Sequence, residues 1–301
     1  MRAAAILGLG SSLRDLKPFQ TSDRVDWIVG LPAESSAADV ILIFGGDGTI
    51  HRHLPQLVKL GLPVLVVPAG SGNDFARALG LRKVRDSLAA WQNFVDSGRN
   101  VKTVDLGVIT PLKVDETQDS HEHALPEASR YFSCAAGCGL DAEIARRANS
   151  LPRWLRAHGG YALSLPAALT KFTSFPAKLL LPKPGSPEAF STYRAEPTVL
   201  VVFANTPVYG GGMRVAPRAR MDDGKLDICH VTELNRFKLF CLFPTVYFGR
   251  HLGINDVDYF QAERLRLETE IPRSVYADGE YVCQTPVEIG VAPSAIRVVV
   301  R

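Results

Sequence analysis

An α/β domain built on a parallel sheet with helices, followed by a β-rich antiparallel, sandwich-like domain, is the fold that this sequence predicts. Two observations carry the prediction. The first is a pair of glycine loops, each leaving an apolar strand and entering a helix: VILIFGGDGTI (Val40–Ile50) and PVLVVPAGSGNDFA (Pro63–Ala76). Between them Leu54, Leu57, Val58 and Leu60 supply an apolar helical face, so the stretch reads as strand, loop, helix, strand, loop, helix. A crossover of that length joins neighbouring parallel strands, which places both loops at the same carboxyl edge of one sheet. The second observation is a change of texture after Val104, from alternating strands and helices to short β-rich runs divided by Gly, Pro and Asp.

In the first part, strands are expected at Ala4–Gly8, Val40–Phe44 and Val64–Val67. Helices are expected at Ile50–Leu60, where Pro55 marks a first turn or a kink, at Asn73–Leu79, closed by Gly80, and at Val84–Asp96. In the second part, strands are expected at Thr103–Thr110, Arg130–Ala135, Ala177–Leu181, Thr198–Ala204, Leu226–Thr232, Arg264–Leu267, Val275–Ala277, Glu280–Cys283 and Ile296–Val300. Helices interrupt them near Ala142–Ala148 and Gly159–Thr173. The domains are therefore drawn at residues 1–105, completed by 288–301, and at 106–287.

Composition narrows the class. The 301 residues are enough for two domains, each with its own core. A hydrophobic share of 46% with 22% charged residues is that of a globular protein. The net charge of +3 is too small to argue for a nucleic-acid partner. The five cysteines show no CxxC spacing and read as reduced cytosolic thiols. The opening MRAAAILGLGSS is too short for a signal-peptide core and reads as a first strand, and no apolar run is long enough to span a bilayer. A cytoplasmic protein is expected. His121 and His123 form an HxH pair in a polar stretch that is most simply a surface loop.

The glycine loops carry the chemistry. Gly45, Gly46 and Gly48 let the backbone approach a phosphate, and Gly70 and Gly72 do the same in the second loop. Asp47 cannot touch phosphate directly without repulsion, so a carboxylate there implies an intervening Mg²⁺ or a hydroxyl donor. A plain Asp-Gly hairpin is the competing reading of GGDGT, and the helix-length spacing to the next strand disfavours it. Ser71 can donate to a phosphate oxygen, and Asn73 and Asp74 read equally as N-caps of the following helix. Asp222, Asp223 and Gly224 read as a plain turn before a strand, and YADGEYV as an Asp-Gly hairpin with a surface glutamate.

Taken together, GGDGT, PAGSGNDFAR, VDLGVI (Val104–Ile109), FSCAAGCGLDAEIA (Phe132–Ala145), ANTPVYGGGMRVAPRARMDDGKLDI (Ala204–Ile228) and YADGE (Tyr276–Glu280) resemble the diacylglycerol kinase catalytic domain and related bacterial lipid kinases. Sphingosine kinases are similar but typically continue SGN with Ala-Leu, where this chain has Asp74–Phe75. The resemblance implies an ATP- and Mg²⁺-dependent lipid kinase with the nucleotide in the cleft between the two domains. It implies nucleotide contacts from Gly45, Gly46, Asp47, Gly48, Thr49, Gly70, Ser71, Gly72 and Asn73, with Asp47 in the network around the phosphates. It further implies a Mg²⁺ held by the Asp223 carboxylate and the main-chain carbonyls of Arg220 and Lys225, and Glu280 as general base.

The chain departs from the family pattern in three places. GLGSS (Gly8–Ser12) stands where an Asn-Pro-x-Ser/Ala-Gly loop is usual, the usual second strand has no clear counterpart, and His51–Arg52 replaces Asn-Glu. Two competing readings follow. A non-catalytic nucleotide- or lipid-binding relative would account for Gly8–Ser12 and His51–Arg52. A soluble-substrate kinase of the NAD-kinase type would share Gly45–Thr49 but not the Asp222–Asp227 and Asp278–Glu280 blocks.

A lipid acceptor implies transient contact with a membrane surface. Two basic, aromatic segments are candidates: Arg146, Arg147, Arg153, Trp154, Arg156, Lys171 and Phe172 around Tyr161–Leu169, and Arg236–Arg250 with Phe237, Phe240, Phe243, Tyr247 and Phe248. Core packing with a solvated basic edge is the alternative for each. A homodimer is compatible with the sequence.

Overall fold

The computed structural model describes residues 1–112, 129–151, 164, 167–169 and 172–301. The first lobe runs β1 (Arg2–Leu7), α1 (Leu13–Leu16), β2 (Asp26–Val29), β3 (Val40–Gly45), α2 (Asp47–Leu60), β4 (Pro63–Pro68), α3 (Asp74–Ala78) and α4 (Val84–Ser97). Its strands lie parallel in the order β2-β1-β3-β4. Every residue of β3 and of β4 is buried, as expected of central strands covered on both faces. α2 packs Ile50, Leu54 and Leu57 inward, carries Pro55 within its length and stops at Gly61, whose left-handed backbone caps it. β2 was not legible in sequence for a physical reason: its apolar run, Trp27–Val29, is only three residues long and largely exposed, too short to mark a strand.

The second lobe follows as β5 (Val101–Pro111), β6 (Arg130–Phe132), β7 (Ala135–Gly139), α5 (Leu140–Ser150), β8 (Phe175–Lys183), β9 (Ser186–Ala204), β10 (Leu226–Thr232), α6 (Arg236–Val246), β11 (Val257–Ala262), β12 (Arg264–Thr269), β13 (Ser274–Ala277), β14 (Glu280–Gln284) and β15 (Val287–Val299). Its pairings are antiparallel, and Phe132, Phe175, Phe203, Leu265, Leu267 and Ile289 lie at the centre of its core. β9 is much longer than the predicted Thr198–Ala204. Its first half is exposed and pairs with β8 in a projecting hairpin, so no buried face marks it in the sequence.

β15 serves both lobes. Val287–Gly290 pairs antiparallel with β12, and Arg297 and Val298 pair parallel with β4. Along nearly its whole length it also pairs antiparallel with β5, with one register shift between Ala292 and Ile296. Asp105 pins that irregularity. One carboxylate oxygen accepts from the N–H of Ser294 at 2.7 Å and the other from Gly224 at 2.8 Å.

His121, His123, Arg153, Trp154, Arg156 and Lys171 lie outside the described residues. Arg146 and Arg147 are not free cations, because both pair with Glu143, at 2.8 Å and 2.6 Å.

Candidate active site

Three loops meet at the carboxyl edge of the parallel sheet, after β1, β3 and β4. The close pairing of Gly45 with Pro68 carries the last two together. A Cβ built on Gly70 would lie 2.5 Å from the Cα of Gly46, so neither position admits a side chain. Gly8, in the divergent first loop, is equally constrained: a Cβ there would lie 2.5 Å from Thr49 Oγ1. No side chain caps α2, whose first turn opens onto a cavity of about 720 Å³. A helix N-terminus left uncapped beside glycine loops presents main-chain N–H donors without an intrahelical partner.

Asp47 does something the sequence does not reveal. Its two oxygens accept the N–H groups of Asp74 and Phe75, each at 3.1 Å. It thereby caps α3 from another loop, the role that the sequence left to Asn73 or Asp74. Asn73 instead folds back on Gly70, accepting its N–H at 2.8 Å and donating to its carbonyl, with a left-handed backbone at φ 54°. Asp74 reaches the second lobe and accepts the N–H of Gly211 at 2.9 Å. The Asp47 carboxyl is pushed up to about 6, first by burial and then by the charge of Asp74, with the two helix N–H groups opposing.

The opposite wall is the β13–β14 hairpin. Asp278 and Gly279 both have positive φ, 49° and 85°, the signature of the tight hairpin that Asp-Gly favours. The Asp278 side chain is fully enclosed. It accepts N–H groups from Ser133 and Cys134, each at 2.8 Å, the Ser133 hydroxyl at 3.1 Å, and an imidazole contact from His51 Nδ1 at 3.1 Å. Burial alone lowers the His51 pKa, but the hydrogen bond and charge of Asp278, with Glu280 beyond, outweigh it and leave the imidazole above its usual 6.5. This anchorage sets the position of Glu280. Its carboxylate hangs over the start of α2, where a Cβ on Gly48 would lie 3.4 Å from Glu280 Oε1. YADGEYV is thus a hairpin, and it carries the Glu280 carboxylate to the cavity.

Of the sequence candidates, Gly46, Asp47, Gly48, Thr49, Gly70, Ser71, Gly72 and Glu280 line the cavity, joined by Leu9, Gly10, Arg52 and Tyr209–Gly211. Gly45 and Asn73 stand behind the wall as loop supports. Arg220, Asp223 and Lys225 do not line it. In that turn Asp223 accepts the N–H of Lys225 at 3.1 Å and an amide N–H of Gln261 at 3.3 Å. Among the described residues, no group of three or more His, Cys, Asp or Glu side chains is placed to hold a metal ion.

Residues 21–109 match the family profile of the diacylglycerol kinase catalytic domain, and residues 134–300 that of the YegS C-terminal NAD kinase beta sandwich-like domain. A diacylglycerol kinase of Mycobacterium tuberculosis is 32% identical over 266 residues, covering 88% of this chain and 78% of the relative. The chain belongs to the diacylglycerol kinase family. Solved structures of a diacylglycerol kinase from Bacillus anthracis align over 100% of this chain and 97% of theirs, with TM-scores of 0.73 and 0.65 and 20% and 19% identity. An NAD kinase from Archaeoglobus fulgidus, solved in complex with ATP, covers 99% of this chain and 93% of its own, with a TM-score of 0.53 and 14% identity. The α/β lobe followed by a β-rich sandwich lobe is therefore a fold that diacylglycerol kinases share with NAD kinases.

For this diacylglycerol kinase family member, sequence reasoning missed Asp278 as an anchor and its His51 partner. The available signal was the pair of departures at His51–Arg52, which were visible as oddities without a partner. The Asp47 shift gives a testable pH dependence. A carboxyl whose folded value is raised stabilises the fold below its unfolded value of 3.8, and this contribution is lost as pH rises through about 6. Full ionisation disfavours the fold by on the order of 3 kcal/mol. Asp47→Asn lacks this component, so its stability relative to the parent is expected to rise between pH 4 and pH 7. Urea unfolding of both proteins across that range measures the difference, and a pH-independent gap refutes it.

Proposed function

We propose that this lipid kinase transfers the γ-phosphate of ATP to a hydroxyl of diacylglycerol or a closely related lipid, with Mg²⁺ accompanying the nucleotide. One observation carries the reading: Glu280 and the open start of α2 face each other across the same cavity, on groups fixed by different lobes. A volume of about 720 Å³ is in the range of small-molecule sites.

In this reading the main-chain N–H groups of the glycine loops and the first turn of α2 hold the phosphates, since each is a donor needing an anion. Arg52, one turn after Gly48 on α2, adds a cation at the cavity wall. Glu280, within reach of the acceptor hydroxyl, takes its proton as the oxygen attacks phosphorus in line with the leaving ADP oxygen. Asp47, Asp74 and Asp278 do not exchange protons with substrate but hold the loops, as their N–H partners require.

The oxygen-only character of the donors fits Mg²⁺. Each Asp223 oxygen accepts one N–H and keeps a lone pair, so this carboxylate would hold the ion with the main-chain carbonyls of Arg220 and Lys225, in a turn outside the cavity lining. A Mg²⁺ accompanying the nucleotide would supply neutralisation of the charge that develops during transfer.

No helix among the described residues is long and apolar enough to cross a membrane. The proposed setting is the cytoplasm, with peripheral contact at the membrane that supplies the acceptor. The NAD-kinase likeness of the fold keeps a soluble acceptor as a second reading. Labelled γ-phosphate offered with extracted lipids, with NAD, or alone separates them: transfer to lipid, abolished by EDTA and restored by Mg²⁺, is expected. Label on NAD, or no transfer at all, overturns the proposal.

A further inference from the structure

A surface helix normally buries one stripe and shows water a polar face. α6 (RFKLFCLFPTV) does not. Leu239 and Leu242 pack inward on the core of the second lobe, while Phe237 and Phe240 are 77% and 63% exposed, and Phe248 just beyond the helix is 72% exposed. No other phenylalanine among the described residues is so exposed.

The charges carried by this segment have one sign. No Asp or Glu occurs between Glu233 and Asp256, whereas Arg236, Lys238 and Arg250 are exposed. An apolar outer face with interspersed cations and no carboxylate is the pattern of an interfacial helix on an anionic bilayer. A second copy of the chain fits less well, because a two-fold contact would set these cations against their own images with no carboxylate between Glu233 and Asp256 to pair them.

The helix also leads to the candidate active site. Tyr247, immediately after α6, lines the cavity, and exposed Leu9 lines it from the first lobe. α6 is held firmly at both ends. Asn235 caps it by accepting the N–H of Lys238 at 2.8 Å, and the Val246 carbonyl accepts from Arg214 and Gly249, each at 3.1 Å. Arg214 continues directly from the Tyr209–Met213 hairpin, which carries Gly210 and Gly211 into the cavity wall.

We propose that α6 and Phe248 dock on the surface of an anionic membrane, with the phenylalanine rings at the acyl boundary and Arg236, Lys238 and Arg250 among the headgroups. Docking then turns the cavity mouth toward the bilayer. The inference rests on the lipid-acceptor reading for its purpose but not for its binding test, which uses neither ATP nor acceptor.

The test is co-sedimentation with phosphatidylcholine vesicles, made with and without phosphatidylglycerol, of the parent, Phe237→Ser/Phe240→Ser and Arg236→Glu/Lys238→Glu. The parent is expected to bind the anionic vesicles, more weakly as salt rises. The serine pair should lower partitioning at least about tenfold. The glutamate pair should erase the preference for phosphatidylglycerol. Both variants should keep the parent's rate on a dispersed short-chain diacylglycerol, because none of these four residues lines the cavity. Parental partitioning by both variants, or no binding by the parent, overturns the proposal. So does a parent that light scattering shows as a dimer, converted to monomer by the serine pair with vesicle binding unchanged, since the patch then belongs to a second copy. A parent that docks through these residues yet phosphorylates no lipid upholds the docking and removes the lipid-kinase reading alone.

Discussion

Glu280→Gln is expected to lower kcat by roughly 10²–10⁴, the usual worth of a positioned general base. The substitution keeps the size and shape of the side chain and removes its negative charge, and with it its ability to take a proton. The hairpin should not move, because it is held by Asp278, Gly279 and Asn149 rather than by Glu280: Asn149 donates to the Gly279 carbonyl at 2.7 Å. Thermal unfolding and Mg-ATP affinity should therefore match the parent. The measurement is turnover at saturating ATP and lipid beside a nucleotide titration. Near-parental turnover removes Glu280 from the role of base, and a matching loss of ATP affinity reassigns it to the nucleotide.

The second large effect is expected at Asp278, two residues earlier, and for the opposite reason. Each Asp278 oxygen accepts at least one main-chain N–H, from Ser133 and from Cys134, and one also meets the His51 ring. Asparagine has one acceptor where aspartate has two, so either orientation of the amide sets a donor against a buried donor. Leaving such a group unpaired costs about 1–3 kcal/mol, more where a charge is involved. Asp278→Asn is thus expected to unfold about 2–4 kcal/mol more easily and to lose turnover with Glu280 unaltered. A second readout separates this from simple damage. With the partner charge gone, the His51 pKa should fall, as burial then acts with less opposition. The stability due to that pair is complete below the unfolded value of 6.5 and lost as pH rises through the higher folded value, so the destabilisation should shrink at alkaline pH. An unchanged His51 titration by NMR contradicts the proposed coupling.

These two neighbours illustrate what a sequence shows and what it hides. The glycine loops were readable because their signals are local: apolar strand, small residues, helix, repeated at crossover spacing. Glu280 was reached only through the order of motifs along the chain, since by itself it is an ordinary residue after an Asp-Gly turn. The anchors were not readable. Asp47 capping α3, and Asp278 gathering donors from the β6–β7 junction and a contact from α2, depend on segments that meet only in three dimensions. The outer half of β9 escaped for a different reason, because an exposed hairpin lacks the burial that gives a strand its pattern, and β2 because an apolar run of three residues is too short to mark one.

The lobes are bridged by two long strands, β5 and β15, hydrogen-bonded to each other and locked at their one irregularity by Asp105. Such a bridge resists bending in its plane and yields chiefly by torsion, unlike a single-stranded hinge. Wide jaw-like opening is therefore disfavoured, and access to the cavity falls to the loops around its rim. The same bridge makes the carboxyl terminus a structural member of the amino-terminal sheet, so trimming the chain before Arg297 strips an outer strand from the half of the molecule synthesised first.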